Sequence, residues 1–210
     1  MENQNDAVEH LKTIRGLMER SSVNHSLSGL SGVAAGIVAL LSYVIVYGIV
    51  DPLMENNPGF VQTVAGRSYL VNIYFIASLL CLITALSSVL YFTRRNSIKR
   101  GTPFFDPAMK KMFLNLAIPL FAGGVFCFML FVEQQYLLIA PCMLVFYGLA
   151  LIHASHNTII QIRYLGLLQL MLGLIAIFLK EYGLWFWIAG FGLVNVLCGA
   201  YIYFTYERAS

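Results

Sequence analysis

An all-α fold, a bundle of six transmembrane helices, is what three features of this sequence predict. The chain is 59% hydrophobic and only 11% charged, too apolar for an ordinary soluble domain. Its apolar residues gather into long stretches with no Asp, Glu, Lys or Arg in their middles. Its basic residues gather in alternate connections between those stretches, the pattern that orients membrane helices.

The first of these stretches is Ser26 to Val50, SLSGLSGVAAGIVALLSYVIVYGIV, and it holds no charged residue. At ~1.5 Å per helical residue it can cross a ~30 Å hydrocarbon core. Ser28, Gly32 and Gly36 recur every fourth residue and so share one face, where small side chains let a second helix approach closely in lipid. The expectation is that the other helices pack around this one. Before it, residues 1–25 place Val8, Leu11, Ile14, Leu17 and Met18 at helical spacing between charges, predicting a cytoplasmic amphipathic helix. No short apolar core with a small-residue cleavage site precedes the first span, so it is expected to stay as a signal anchor.

Asp51-Pro52 and Asn56-Asn57-Pro58-Gly59 predict a break and a loop after the first span. The second span is placed at 68–92, followed by a charged connection from Thr93 to Lys111. The third, 112–132, contains Pro119, a kink of the kind membrane helices tolerate. Glu133-Gln134-Gln135 turns the chain into the fourth, 136–153, and a polar link leads to the fifth, 164–179. Lys180-Glu181-Tyr182-Gly183 turns it into the sixth, 184–206, with a short tail at 207–210.

Eleven Lys and Arg fall on the side of the two termini and only Arg67 and Lys180 on the other, so both termini are expected in the cytoplasm. The helices then form three hairpins. A faint threefold repeat accords with this: Leu27-x-Gly29-Leu30 with Gly36 shares a register with Leu165-Gly166-Leu167 and Gly173, Leu114-Asn115-Leu116 with Ala122 follows it loosely, and Tyr91-Phe92-Thr93 matches Tyr203-Phe204-Thr205. Cys81, Cys127, Cys142 and Cys198 all fall within spans, without metal-ligand spacing, and are expected to be free.

Polar groups within the spans are few. Asn72, Asn115, Gln169 and Asn195 are expected to bond across helices, or alternatively to line a path for a neutral or lipidic solute. His153 and His156 share a helical face at the cytoplasmic end of the fourth span, and His25 opens the first at similar depth. Three imidazoles can hold a metal, but no carboxylate stands at HExxH spacing. No cofactor is therefore expected, and a metal or haem site is kept only as an alternative. Arg94, Arg95, Lys99, Arg100, Lys110 and Lys111 form a basic cytoplasmic face suited to anionic lipid headgroups or a protein partner. Nothing suggests a phosphate loop or a nucleic-acid partner.

Two sets of motifs resemble known families. Gly29-Leu30-Ser31-Gly32 looks like the nucleophile motif of rhomboid intramembrane proteases, but the sixth span lacks the partner His, and a serine without a base is a weak nucleophile. No catalytic residue is assigned. Met18-Glu19-Arg20-Ser21-Ser22, LSGLSG from Leu27, NLAIPL from Asn115, IRYLGL from Ile162 and YFTYER from Tyr203 resemble strings of a group of small, uncharacterised six-helix bacterial inner-membrane proteins. That resemblance implies a bacterial inner-membrane location and brings no activity or site residues. The expected function is a non-enzymatic subunit or regulator of a membrane assembly, as a homo-oligomer or with a protein partner. A small transporter or channel, and an interfacial metal or haem enzyme, are the alternatives.

Overall fold

The structure, a computed structural model, describes residues 29–57, 59, 63–99 and 107–207. The amphipathic segment expected over residues 1–25, with His25, Ser28 and Arg100, lies outside them. Five long helices come first: α1 (Gly29–Asn56), α2 (Val64–Lys99), α3 (Pro107–Val132), α4 (Tyr136–Ala154) and α5 (Ile160–Phe178). The sixth, α6 (183–207), is one rod in four pieces. α-Helical Gly183–Trp187 and Asn195–Ile202 alternate with wider π-helical Ile188–Val194 and Tyr203–Glu207. No strand occurs among the described residues, and six helices are long and apolar enough to cross a membrane. Large apolar side chains crowd the outside: Val44, Leu80, Phe121 and Leu197 are all more than half exposed, as a lipid-facing surface requires.

Several boundaries differ from the sequence reading for identifiable reasons. α1 continues through Asp51-Pro52 to Asn56. Pro52 removes one backbone bond, but it stands where the apolar span ends, and a single lost bond does not stop the helix there. α2 begins at Val64 and runs past its apolar part to Lys99, so Arg94 and Arg95 ride on a helix rather than a loop. Pro107 opens α3 at the first position, where the missing N–H has no intrahelical partner to lose. The polar link after α4 shortens to a 3₁₀ turn, Ser155–Asn157, before α5 resumes at Ile160.

The turn between α3 and α4 closes tightly without glycine. Gln134 has φ +58°, and the N–H groups of Gln135 and Gln134 donate to the carbonyls of Leu130 (2.8 Å) and Phe131 (3.1 Å). These two bonds satisfy carbonyls that the helix end would otherwise leave bare.

The expected centre of the bundle moves. α1 packs mainly on α2 and α6, whereas α4 touches α3, α5 and α6. The small face of α1 is one stripe and seats one neighbour closely; α4 buries Pro141, Leu144, Gly148, Ala150, Leu151 and Ala154 around more of its circumference. The most extensive pair, α4 with α5, also crosses the boundary between the second and third hairpins. Glycines set these approaches. A Cβ on Gly148 would stand 2.6 Å from the Leu170 nitrogen, and one on Gly166 2.8 Å from the Gly148 oxygen. Gly29, Gly32 and Gly36 meet Gly199 and the Asn195–Val196 backbone of α6 in the same way. At the end of the bundle where α4 passes into α5, Leu151, Ile159, Ile162, Leu165 and Ile202 form an apolar cluster.

A Cβ on Gly199 would lie 2.6 Å from the Val33 nitrogen and 2.7 Å from the Gly29 oxygen, both backbone atoms that cannot swing aside. Gly199→Ala should therefore lower the unfolding free energy in mixed micelles by about 1–3 kcal/mol. Gly124→Ala, with nothing within 4 Å, should stay within about 0.5 kcal/mol of the parent.

Candidate functional site

Two polar nodes are built into the apolar bundle. The first ties α4, α5 and α6 together around the π-helical turn. Gln169 on α5 is fully buried, and its Nε2 donates to the Gly190 carbonyl at 2.8 Å. Asn195, 3% exposed, donates from Nδ2 to the next carbonyl, that of Phe191, at 3.1 Å. Two side-chain amides thus supply donors to successive carbonyls of a turn whose backbone departs from the α-helical ladder. The Tyr147 hydroxyl of α4 completes the node, donating to Asn195 Oδ1 at 3.3 Å, with its ring 4.9 Å from that of Phe191.

The remaining oxygen, Gln169 Oε1, is buried without a hydrogen-bond partner. It lies against the Gly190 Cα, since a Cβ there would come within 2.5 Å of it. Such a Cα–H contact is a weak substitute for a hydrogen bond. Flipping the amide would bring Oε1 against the Gly190 carbonyl, so the bonded orientation is the favourable one.

The second node lies where α3 meets the end of α4, and it begins with a proline. Pro119 has no N–H, so the carbonyl four residues earlier, on Asn115, loses its helical donor. His153 supplies the replacement: its Nδ1 is 3.0 Å from the Asn115 oxygen. A carbonyl only accepts, so Nδ1 must carry the hydrogen. The neutral ring then presents Nε2 with its lone pair free, and it can accept a hydrogen bond or bind a cation there. His156, on the 3₁₀ turn, stands edge-on with its ring 6.3 Å from that of His153. Pro119, Phe146, Leu149 and Ile152 continue from the two imidazoles as the walls of an open groove of about 360 Å³.

The other predicted residues fall apart in space. Gln169 and Asn195 share the first node, Asn115 belongs to the second through its backbone, and Asn72 is exposed on α2. The four amides therefore do not line one path. Gly32 and Gly36 face α6. Arg94, Arg95, Lys110 and Lys111 are exposed. His153 and His156 come together, His25 lies outside the described residues, and among those residues no group of three His, Cys, Asp or Glu side chains is placed to hold a metal. Cys81, Cys127, Cys142 and Cys198 are free.

Tyr147 and the partnership of Pro119 with His153 escaped the sequence reading. Tyr147 gave no signal there. Pro119 did give one, because a proline inside a membrane helix implies an orphaned carbonyl four residues back, at Asn115. No family model matches this chain, and no curated protein or solved structure matches it significantly.

Pro119→Ala restores the backbone donor to Asn115, which makes the His153 bond redundant. In the parent chain, His153→Phe should lower the unfolding free energy by about 1 kcal/mol. In the Pro119→Ala background it should cost less than half as much. Additive effects in this double-mutant cycle would disprove the partnership.

Proposed function

We propose that this chain is a non-enzymatic, multi-pass protein of a bacterial inner membrane, with both termini cytoplasmic. It acts as a subunit or regulator of a membrane assembly through helix packing and its basic face. One observation carries this reading: among the described residues, α2 packs extensively on one side and touches the rest of the bundle only sparsely on the other. Gly66, Leu70, Ile73, Ala77, Cys81, Ala85, Ser88 and Phe92 are the less exposed stripe at helical spacing, while the 18-residue apolar core of α2 has no buried residue. The opposite side carries Asn72 and reaches α3 through the ring pair Phe75–Phe131, 5.4 Å apart.

Asn72 is the telling residue on that side. Ser78, Thr84 and Ser88 on α2 satisfy their hydroxyls within the helix, each bonding at 2.8 Å to a carbonyl three or four residues earlier. The amide of Asn72 makes no hydrogen bond among the described residues, and in lipid an unpaired amide draws a partner helix. A second copy of the chain suits it, because two such amides are donor and acceptor to each other across a twofold axis.

The transporter reading draws less support, since Gln169 and Asn195 are buried with their donors already committed to α6 carbonyls. The metal or haem reading rests on two imidazoles among the described residues and has no third ligand there.

Native mass spectrometry of the protein released from mild detergent tests the proposal. A homodimer is expected, with Asn72→Leu weakening it about tenfold, the effect of an interhelical amide bond worth ~1–2 kcal/mol. A stoichiometric protein partner released by the same variant would support assembly with a different occupant. A monomer whose mass and stability ignore Asn72→Leu would sink the idea.

A further inference from the structure

The groove between α3 and α4 joins two kinds of surface. Phe146, Leu149, Ile152 and Pro119 make its apolar walls, and the imidazoles of His153 and His156 close one end. At about 360 Å³ it is near the lower end of the ~300–1,000 Å³ typical of small-molecule sites, room for one chain rather than a folded ligand. It is open along its side, and Leu149 is exposed there, so an occupant can enter laterally from the bilayer.

The polar end specifies what it takes. The Asn115 carbonyl holds a hydrogen of His153 on Nδ1, so whenever the ring is neutral Nε2 is a hydrogen-bond acceptor. Lys111, Asn115 and Pro119 follow one another at intervals of four along α3, a single row whose last member lines the groove. Lys111 therefore stands about one turn, ~5.4 Å, beyond Asn115 toward the end of the groove that carries the imidazoles. It is exposed and contributes a positive charge. A cation and a hydrogen-bond acceptor at the mouth of an apolar groove match a headgroup with a phosphate and a hydroxyl, attached to a hydrocarbon chain.

We propose that this groove binds one anionic phospholipid of the phosphatidylglycerol type. The phosphate lies toward Lys111, a headgroup hydroxyl donates to Nε2 of His153, and one acyl chain runs past Leu149 and Phe146. The proposal depends on neither α2 nor the oligomeric state.

The test reconstitutes the full chain with equal phosphatidylglycerol and phosphatidylcholine and counts lipids retained in native mass spectrometry under collisional activation. One phosphatidylglycerol per chain should survive energies that strip phosphatidylcholine. Lys111→Gln and, separately, Leu149→Trp, which blocks the groove, should each reduce that retention several-fold, to the phosphatidylcholine level. Both positions are exposed, so thermal midpoints should match the parent, and either variant alone suffices if the other fails to fold. Equal retention of the two lipids, or unchanged retention in the folded variants, would mean annular lipid only and overturn the site. Displacement by millimolar glycerol phosphate would overturn it too, by showing that a soluble phosphate is the ligand.

Discussion

In hydrocarbon there is no water to bond a bare carbonyl or amide, and that constraint organises this molecule. Several departures from a regular α-helix are met by an added donor. Pro119 strands the Asn115 carbonyl, and His153 bonds it. The π-helical turn of α6 receives amide donors from Gln169 and Asn195. The end of α3 is closed by N–H groups of its own turn, although Gln134 must adopt a positive φ to do it. Hydroxyls on α1 and α2 bond back to their own helices, as Ser42 does to Val38.

Close approach is the second organising element, and it works by contact rather than by hydrophobic drive. Lipid tails are as apolar as leucine, so helices gain by fitting backbone against backbone. Glycines on α4 and α5 do this for the most extensive pair, and glycines on α1 and α6 join the first helix to the last. Among the described residues, α2 shows no such crossing away from α1, and it is the helix least engaged by the rest of the bundle.

The two polar nodes divide the work. The Gln169–Asn195–Tyr147 node is sealed in the core and fixes three helices in register, a structural use of polar groups. The His153 node faces outward at a groove, and its orphan carbonyl fixes which nitrogen of the ring is left open. One proline thus strands a carbonyl, sets a histidine's tautomer and forms part of the wall beside it.

The sequence by itself determined that the chain is helical, that six stretches are long and apolar enough to cross a membrane, and that small residues at intervals of four carry close contacts, because hydropathy and spacing are local properties. It also marked the polar amides as groups that need partners across helices, and Pro119 as a kink. Tertiary structure alone decided the partners. Gln169 and Asn195 separate from Asn72 and Asn115, α4 takes the centre expected of α1, and His153 meets α3. Those outcomes depend on how faces of different helices rotate toward one another, which a bundle of uniformly apolar helices scarcely encodes in any one segment. Helix ends shifted for a related reason: Pro52 lies where the apolar span ends, and α2 continues past its apolar part into its basic end, so neither the break expected at Pro52 nor the loop expected after Phe92 was forced.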